Sequence, residues 1–272
     1  MLKGKKIGFI GAGKMGEALM RGLLVSGAIK KGSIYVSDAD KKKCAFIKGK
    51  YKLKVSNDNS FVAKKSDIII LAVKPKDMGE VLVEISPFIN SHKLIISIAA
   101  GITTKRIENI LKKHVPVVRA MPNTPAIVGQ AMTAIARGRF VKEKYIKAAE
   151  LIFSKVGKVF ETQEDKMDLI TAISGSGPAY IMYFIEALLV VAMEFGLSWE
   201  QALQIVLQTV YGSAKLLEES KIPPEQIREM VTSKGGVTEA ALEVFRKHKV
   251  DMVIRKAVKT AVNRAKVLAS AY

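Results

Sequence analysis

Cysteine is almost missing from this sequence: Cys44 is the only one. A single thiol excludes an internal disulfide and fits a reducing compartment, so a cytoplasmic location is expected. Histidine is nearly as scarce. His92, His114 and His248 stand far apart with no partner at ligand spacing, and no metal site is expected. Acidic residues are outnumbered, 25 against 44 Lys plus Arg, leaving a net charge of +19. That excess is spread along the chain, and its densest run, Lys41-Lys42-Lys43, opens a predicted helix. Aromatic residues make up only 7% and do not interleave with the basic ones as a base-stacking groove requires. Nucleic acid is therefore not an expected partner, whereas a lysine-rich surface favours small anions. The apolar run after Met1–Lys6 is too short for a signal-peptide core, and Lys14 prevents its extension. The longest apolar stretch, Ala179 to Leu197, carries Glu186 and Glu194 and reads as a buried helix, so no membrane is expected either.

What the chain does have is a hydrophobic share of 49% over 272 residues, enough for two domains with real cores. The stretch that organises the first of them is Ile7-Gly8-Phe9-Ile10-Gly11-Ala12-Gly13-Lys14-Met15-Gly16. An apolar run that reads as a strand breaks into G-x-G-x-x-G, and a helical pattern continues from Glu17. In a dinucleotide-binding turn Gly11 permits the tight turn, Gly13 lets backbone approach a pyrophosphate, and Gly16 lets the helix pack on the strand. Further strands are predicted at 34–36, 52–55, 67–73, 93–99 and 115–119, with helical patterns between them. Two more, at 131–136 and 158–161, flank a helix at 143–153 and extend the sheet. This alternation specifies an α/β fold, a Rossmann-type, mostly parallel sheet with helices on both faces.

Ligands of such sheets lie beyond the strand C-termini. The loops to watch are therefore Gly11–Gly16, Ser37–Asp40, Val73–Pro75 with Lys74 between, Ala99-Ala100-Gly101 and Met121–Pro125, which contains Asn123. Asp38 lies where an acidic residue holds the adenosine ribose hydroxyls, which favours NAD. Ser37 can equally occupy the strand end, and Lys41–Lys43 are near enough to help hold a 2′-phosphate. NAD and NADP both stay open on the residues alone. From about Asp165 the strand signal gives way to helices at 164–173, 179–195, 199–219, 224–231, 238–247 and 252–270. The boundary is accordingly expected at 164/165, between a dinucleotide-binding domain and an all-α one. The second is too apolar for so few helices, above all at 180–193, so a homodimer is expected.

Two loops of that second half carry possible function. In Ser174-Gly175-Ser176-Gly177-Pro178 the expectation is structural, with Ser176 or Gly177 capping the long helix and Pro178 in its first turn. Ser233-Lys234-Gly235-Gly236-Val237-Thr238 places two glycines before a helix start, a concavity of N–H groups suited to a carboxylate or phosphate.

Taken together these motifs resemble the pyrroline-5-carboxylate reductase family over nearly the whole chain and in order. They are 10–16, Leu71-Ala72-Val73-Lys74-Pro75, Ser97-Ile98-Ala99-Ala100-Gly101, Arg119-Ala120-Met121-Pro122-Asn123-Thr124-Pro125, 174–180 and the 233–238 loop. The resemblance implies NADP as cofactor, with NAD an alternative, and 1-pyrroline-5-carboxylate and L-proline as substrate and product. It implies a helical dimerisation domain, a homodimer or an assembly of dimers, and a site shared between one subunit's sheet and its partner's helices. It further implies that Asn59 and position 38 face the ribose or its 2′-phosphate. The substrate carboxylate would rest on the Ser233 loop, at Gly235, Gly236 and Val237, and Thr238 would reach the ring nitrogen. Asp38 departs from the small neutral or basic residue frequent in the family, and Lys234 from its usual proline. A hydroxyacid dehydrogenase of similar architecture would need a Lys or His base, and the long apolar helix has neither. A dinucleotide-binding sensor could lose the 233–238 loop, which is retained here.

Overall fold

The computed structural model describes residues 2 and 4–271. Eight strands form one sheet: β1 (Ile7–Ile10), β2 (Ile34–Ser37), β3 (Lys54–Ser56), β4 (Ile68–Leu71), β5 (Leu94–Ser97), β6 (Val117–Met121), β7 (Ala131–Arg137) and β8 (Gly157–Glu161). Their spatial order is β3-β2-β1-β4-β5-β6-β7-β8. The helices α1 (Lys14–Val25), α2 (Lys41–Tyr51), α3 (Asn59–Lys65), α4 (Met78–Ile85), α5 (Thr104–Leu111) and α6 (Glu143–Phe153) lie between them in sequence.

The central strands are runs of Ile, Val and Leu because both faces of the sheet are covered. Successive side chains point to opposite faces. Phe9, Ile70, Ile96 and Val118 join a core with Leu19, Met20 and Leu23 of α1 and Ile152 and Phe153 of α6. Ile10, Ile69, Leu71 and Ile95 join a second core with Val62 of α3, Leu82 and Ile85 of α4 and Ile107 of α5.

Every adjacent pair of strands is parallel except β6 and β7. Only residues 122–130 join those two, closed by a 3-10 turn over Thr124–Val128 and Gly129 at φ 75°. So short a link cannot hold the crossover a parallel pair needs. The third strand starts two residues later than the pattern predicts, because Lys52 ends α2 in the left-handed region at φ 57°.

By packing, the chain divides after Ser176, and from Ala261 it returns to the first unit. The reason is a buried ion-pair cluster at the sheet. Arg119 of β6 is 3% exposed, and its guanidinium lies 3.6 Å from Glu164 and 3.2 Å from Asp168. Glu164 in turn accepts from the N–H and hydroxyl of Thr104, at 2.8 and 2.6 Å. Met167, in α7 (Met167–Ile170), is fully buried with Ala134 and Ala136 of β7.

The expected cap at Ser176 does not form. Residues 171–175 make a π turn and Ser176 keeps helical angles, φ −89° and ψ −21°. Pro178 has no N–H for the carbonyl of Ser174; the side-chain amide of Asn123 donates to that carbonyl instead, at 3.2 Å.

The second unit, 177–260, holds α8 (Gly177–Glu194), α9 (Trp199–Ser220), α10 (Pro224–Met230), α11 (Val237–Lys247) and the start of α12 (Val250–Ala271). Its buried core is small: Ile185 and Leu189 of α8 against Ala202 and Val206 of α9. Tyr183 is 77% exposed and Phe195 86%, and Ile181, Phe184, Val190, Val191 and Tyr211 are also exposed. The stretch 164–194 is long and apolar enough to cross a bilayer by length and composition.

Candidate active site

Between β1 and β4 the strand order reverses, and at such a switch point open α/β sheets bind their ligands. A cavity of about 590 Å³ lies here, and its wall includes Gly11, Gly13, Asp38, Asn59, Ala72, Val73 and Lys74.

The turn from β1 into α1 explains the glycines. Gly11 has φ +103°, and a Cβ there would come within 2.5 Å of the Ala72 carbonyl oxygen, so turn and β4 meet backbone to backbone. A Cβ on Gly16 would lie 2.6 Å from the Gly11 carbonyl, which fixes the close seat of α1. Gly13 is different. Its backbone is extended, φ −70° and ψ 179°, and no protein atom lies within 4 Å of where its Cβ would stand. It is the N-cap of α1, and no side chain caps the helix. Open space before free helix N–H groups fits the pyrophosphate of a dinucleotide.

At the end of β2 the two open assignments separate. Ser37 is fully buried, and its hydroxyl donates to Oδ1 of Asn59 at 2.8 Å. Asp38 lines the cavity. Its carboxylate is also engaged, accepting the N–H of Ala12 at 2.7 Å and of Asp40 at 2.9 Å, with Lys43 at 3.7 Å. Asp38 thus braces the glycine-rich turn as well as facing the cavity. The amide of Asn59 donates onward to Glu84 at 2.7 Å, and the Asn59 backbone N–H does so at 3.2 Å.

The other sequence candidates do not line this cavity. Ala12 is buried beneath the turn, and Met15 packs on the core. Lys14 faces a smaller cavity beside Glu17, Arg21, Lys50 and Tyr51. Pro75 opens a 3-10 turn, Pro75–Asp77. Ala99 is buried, Ala100 half-buried, and Gly101, at φ +76°, is pressed by α12, whose Ala269 nitrogen would stand 3.2 Å from a Cβ there. Asn123 spends its amide on the protein: Oδ1 accepts the Met132 N–H at 2.9 Å, and Nδ2 donates to Ser174. It acts as a clamp on the β6–β7 link.

In the second unit, Gly235 takes φ +71° and Gly236 is the N-cap of α11 without a side-chain cap. The Gly235 N–H donates to the carboxylate of Glu239 at 2.6 Å, and the Gly236 N–H to the Ser233 carbonyl at 3.0 Å. The loop therefore already holds a carboxylate, its own. Ser233 is exposed, Thr238 is half-buried, and Val237 is 90% exposed. Among the described residues no group of His, Cys, Asp and Glu could hold a metal ion.

Sequence reading missed Glu84 and Glu239. Glu239 had a visible signal, an acid in the first turn of a helix four residues after a glycine. Glu84 had none, because only the packing of α3 beside α4 brings it to Asn59.

A family model described as pyrroline-5-carboxylate reductase dimerisation matches residues 164–268. One described as coenzyme F420-dependent NADP oxidoreductase matches residues 6–101. The chain is 39% identical to pyrroline-5-carboxylate reductase 1 of Bacillus spizizenii over 96% of its own length and 89% of the relative's. The solved pyrroline-5-carboxylate reductase of Coxiella burnetii superposes with a TM-score of 0.89 at 37% identity, covering 97% of this chain and 98% of that one. The pyrroline carboxylate reductase of Plasmodium falciparum, solved with NADP bound, gives 0.90 at 34% identity with 98% of each chain covered. This chain belongs to the pyrroline-5-carboxylate reductase family.

Proposed function

We propose that the chain reduces 1-pyrroline-5-carboxylate to L-proline with NADPH or NADH, in the cytoplasm and as a homodimer. The observation that carries the reading is the 235–239 loop, which binds a carboxylate on backbone N–H at 2.6 Å, in a chain whose glycine-rich turn fits a dinucleotide. The NADP-bound Plasmodium relative supports the cofactor class. Residues 1–164 would bind the dinucleotide, and 165–272 would dimerise and hold the substrate.

When bound, the nicotinamide supplies a hydride to the imine carbon. The residues of the chain orient and stabilise. Gly11 and Gly13 admit the pyrophosphate, Asp38 and Asn59 meet the ribose, and Asn123 keeps the β6–β7 link in place. The substrate carboxylate takes the N–H groups of Gly235 and Val237, that of Gly236 being held by the Ser233 carbonyl, and Thr238 donates to the ring nitrogen. The C=N bond gains the hydride at carbon and a proton, drawn from water, at nitrogen, giving the secondary amine. The direct test is oxidation of NADPH dependent on pyrroline-5-carboxylate; no turnover by the purified full chain would refute the proposal.

Glu239 makes a specific forecast. Its carboxylate sits where the substrate's would, so binding has to displace it. Glu239→Ala should lower KM for pyrroline-5-carboxylate about threefold to tenfold, a change of up to about 1.4 kcal/mol, with kcat nearly unchanged. An unchanged or raised KM would show that this loop holds no substrate carboxylate.

The dimer forecast rests on the bare face of α8. Burying Tyr183 and Val190 against a second copy should each contribute about 1.5–3 kcal/mol. In sedimentation the wild type should run as a dimer or larger, and Tyr183→Glu with Val190→Glu as an inactive monomer. An active monomeric double variant would remove this face from the interface.

A further inference from the structure

We propose that Glu84, on α4, sets the discrimination between the two nicotinamide dinucleotides by holding Asn59 and opposing a 2′-phosphate. The inference rests on the dinucleotide reading of the cavity. The chain as a whole is strongly basic, with 44 Lys plus Arg against 25 acids, yet this cavity reverses the balance. Five carboxylates line it, Asp38, Asp40, Asp77, Glu80 and Glu84, against three lysines. Asp38 and Asp40 accept from backbone N–H groups, whereas Glu84 also holds a side-chain donor, the amide of Asn59.

Asn59 is fixed at both ends of its amide. The fully buried Ser37 hydroxyl donates to Oδ1 at 2.8 Å, so Nδ2 is turned to Glu84, where Oε2 accepts it at 2.7 Å. Glu84 Oε1 also accepts the Asn59 backbone N–H, at 3.2 Å. A hydroxyl, an amide and a carboxylate form a chain that begins in the core and ends in negative charge on the cavity wall. A 2′-phosphate carries about two negative charges and only accepts hydrogen bonds near neutral pH. It needs donors, and the Nδ2 of Asn59 is one; Glu84 has already engaged one of its two N–H groups. A ribose hydroxyl is itself a donor and can donate a hydrogen bond to a carboxylate. Glu84 thus weakens the phosphorylated dinucleotide relative to the plain one, chiefly by repulsion and in part by occupying one of the two N–H donors of Asn59.

The test is fluorescence titration of NADPH and NADH onto the full chain without pyrroline-5-carboxylate, so that the readout does not depend on the reaction. Glu84→Gln keeps the shape and removes the charge. It should lower the ratio of the NADPH Kd to the NADH Kd about threefold to tenfold, and Glu84→Lys should lower it further. Glu84 is exposed, so both variants should melt as the wild type does. If both dinucleotides bind and neither substitution moves the ratio by more than about twofold, Glu84 has no such role and the cavity keeps its assignment. If the wild type binds neither dinucleotide, the assignment of the cavity falls and the role of Glu84 with it.

Discussion

Gly13→Val should bind neither NADPH nor NADH within reach of a titration, while remaining folded. The structure separates the two effects. Among the three glycines of the turn, only position 13 has space for a side chain: a Cβ at Gly11 or Gly16 would strike backbone oxygen, at 2.5 and 2.6 Å, whereas one at Gly13 meets nothing within 4 Å. The backbone there is extended, so valine enters without strain. Its cost to the fold is that of exchanging a glycine N-cap for a poor one, about 1 kcal/mol, or roughly 2–4 °C in Tm for a chain of this size. The space that valine fills is the space before the free N–H groups of α1. Overlap with a pyrophosphate there should raise both Kd values more than about a hundredfold, over 2.7 kcal/mol. Dinucleotide titration and a thermal melt on the same preparation decide it. Normal affinity for both cofactors would refute the assignment of the turn. Gly16→Val serves as the contrast, because it should lose binding by disturbing the seat of α1 and melt well below the wild type.

The contrast also shows what was legible in the sequence. Gly11, Gly13 and Gly16 could be given their roles from spacing alone, because each answers to a local constraint of one strand and one helix. The central strands were legible for the same reason, as short apolar runs that need cover on both faces. What was not legible depended on partners distant in sequence. Residues 164–176 have a helical pattern, but Arg119, 45 residues earlier than Glu164, holds them to the sheet. Ser176 looked like a cap, yet the carbonyl left free by Pro178 is taken by Asn123. Asp38 was assigned to the cofactor, and its second bond, to the N–H of Ala12, appears only when β2 lies beside β1. Glu84 obeys the same rule: nothing local in α4 marks it, and Asn59 gives it meaning.

Thr238→Ala should reduce kcat roughly tenfold to a hundredfold and leave the affinity for NADPH and NADH unchanged. A competing account would make Thr238 a helix cap, and the structure disposes of it. Gly236 is the N-cap of α11, so Val237 and Thr238 are its first two helical residues. The Thr238 hydroxyl makes no hydrogen bond to another described residue, so it is available to a ligand. Alanine is a better helix former than threonine, so the substitution should not lower Tm. The kinetic effect has a separate origin. As the hydride reaches carbon, the ring nitrogen gains electron density, and a fixed donor there stabilises the transition state more than the ground state. Loss of one such donor costs about 2.7–4 kcal/mol in oxyanion holes. Here the loss should be at or below the lower end, since a protonated imine carries its own proton and water can replace part of the contact. Thr238→Ser keeps the hydroxyl and should keep most of kcat. Steady-state kinetics on both variants, with a melt to confirm that α11 is intact, completes the test. A Thr238→Ala enzyme with normal kcat would remove Thr238 from the mechanism.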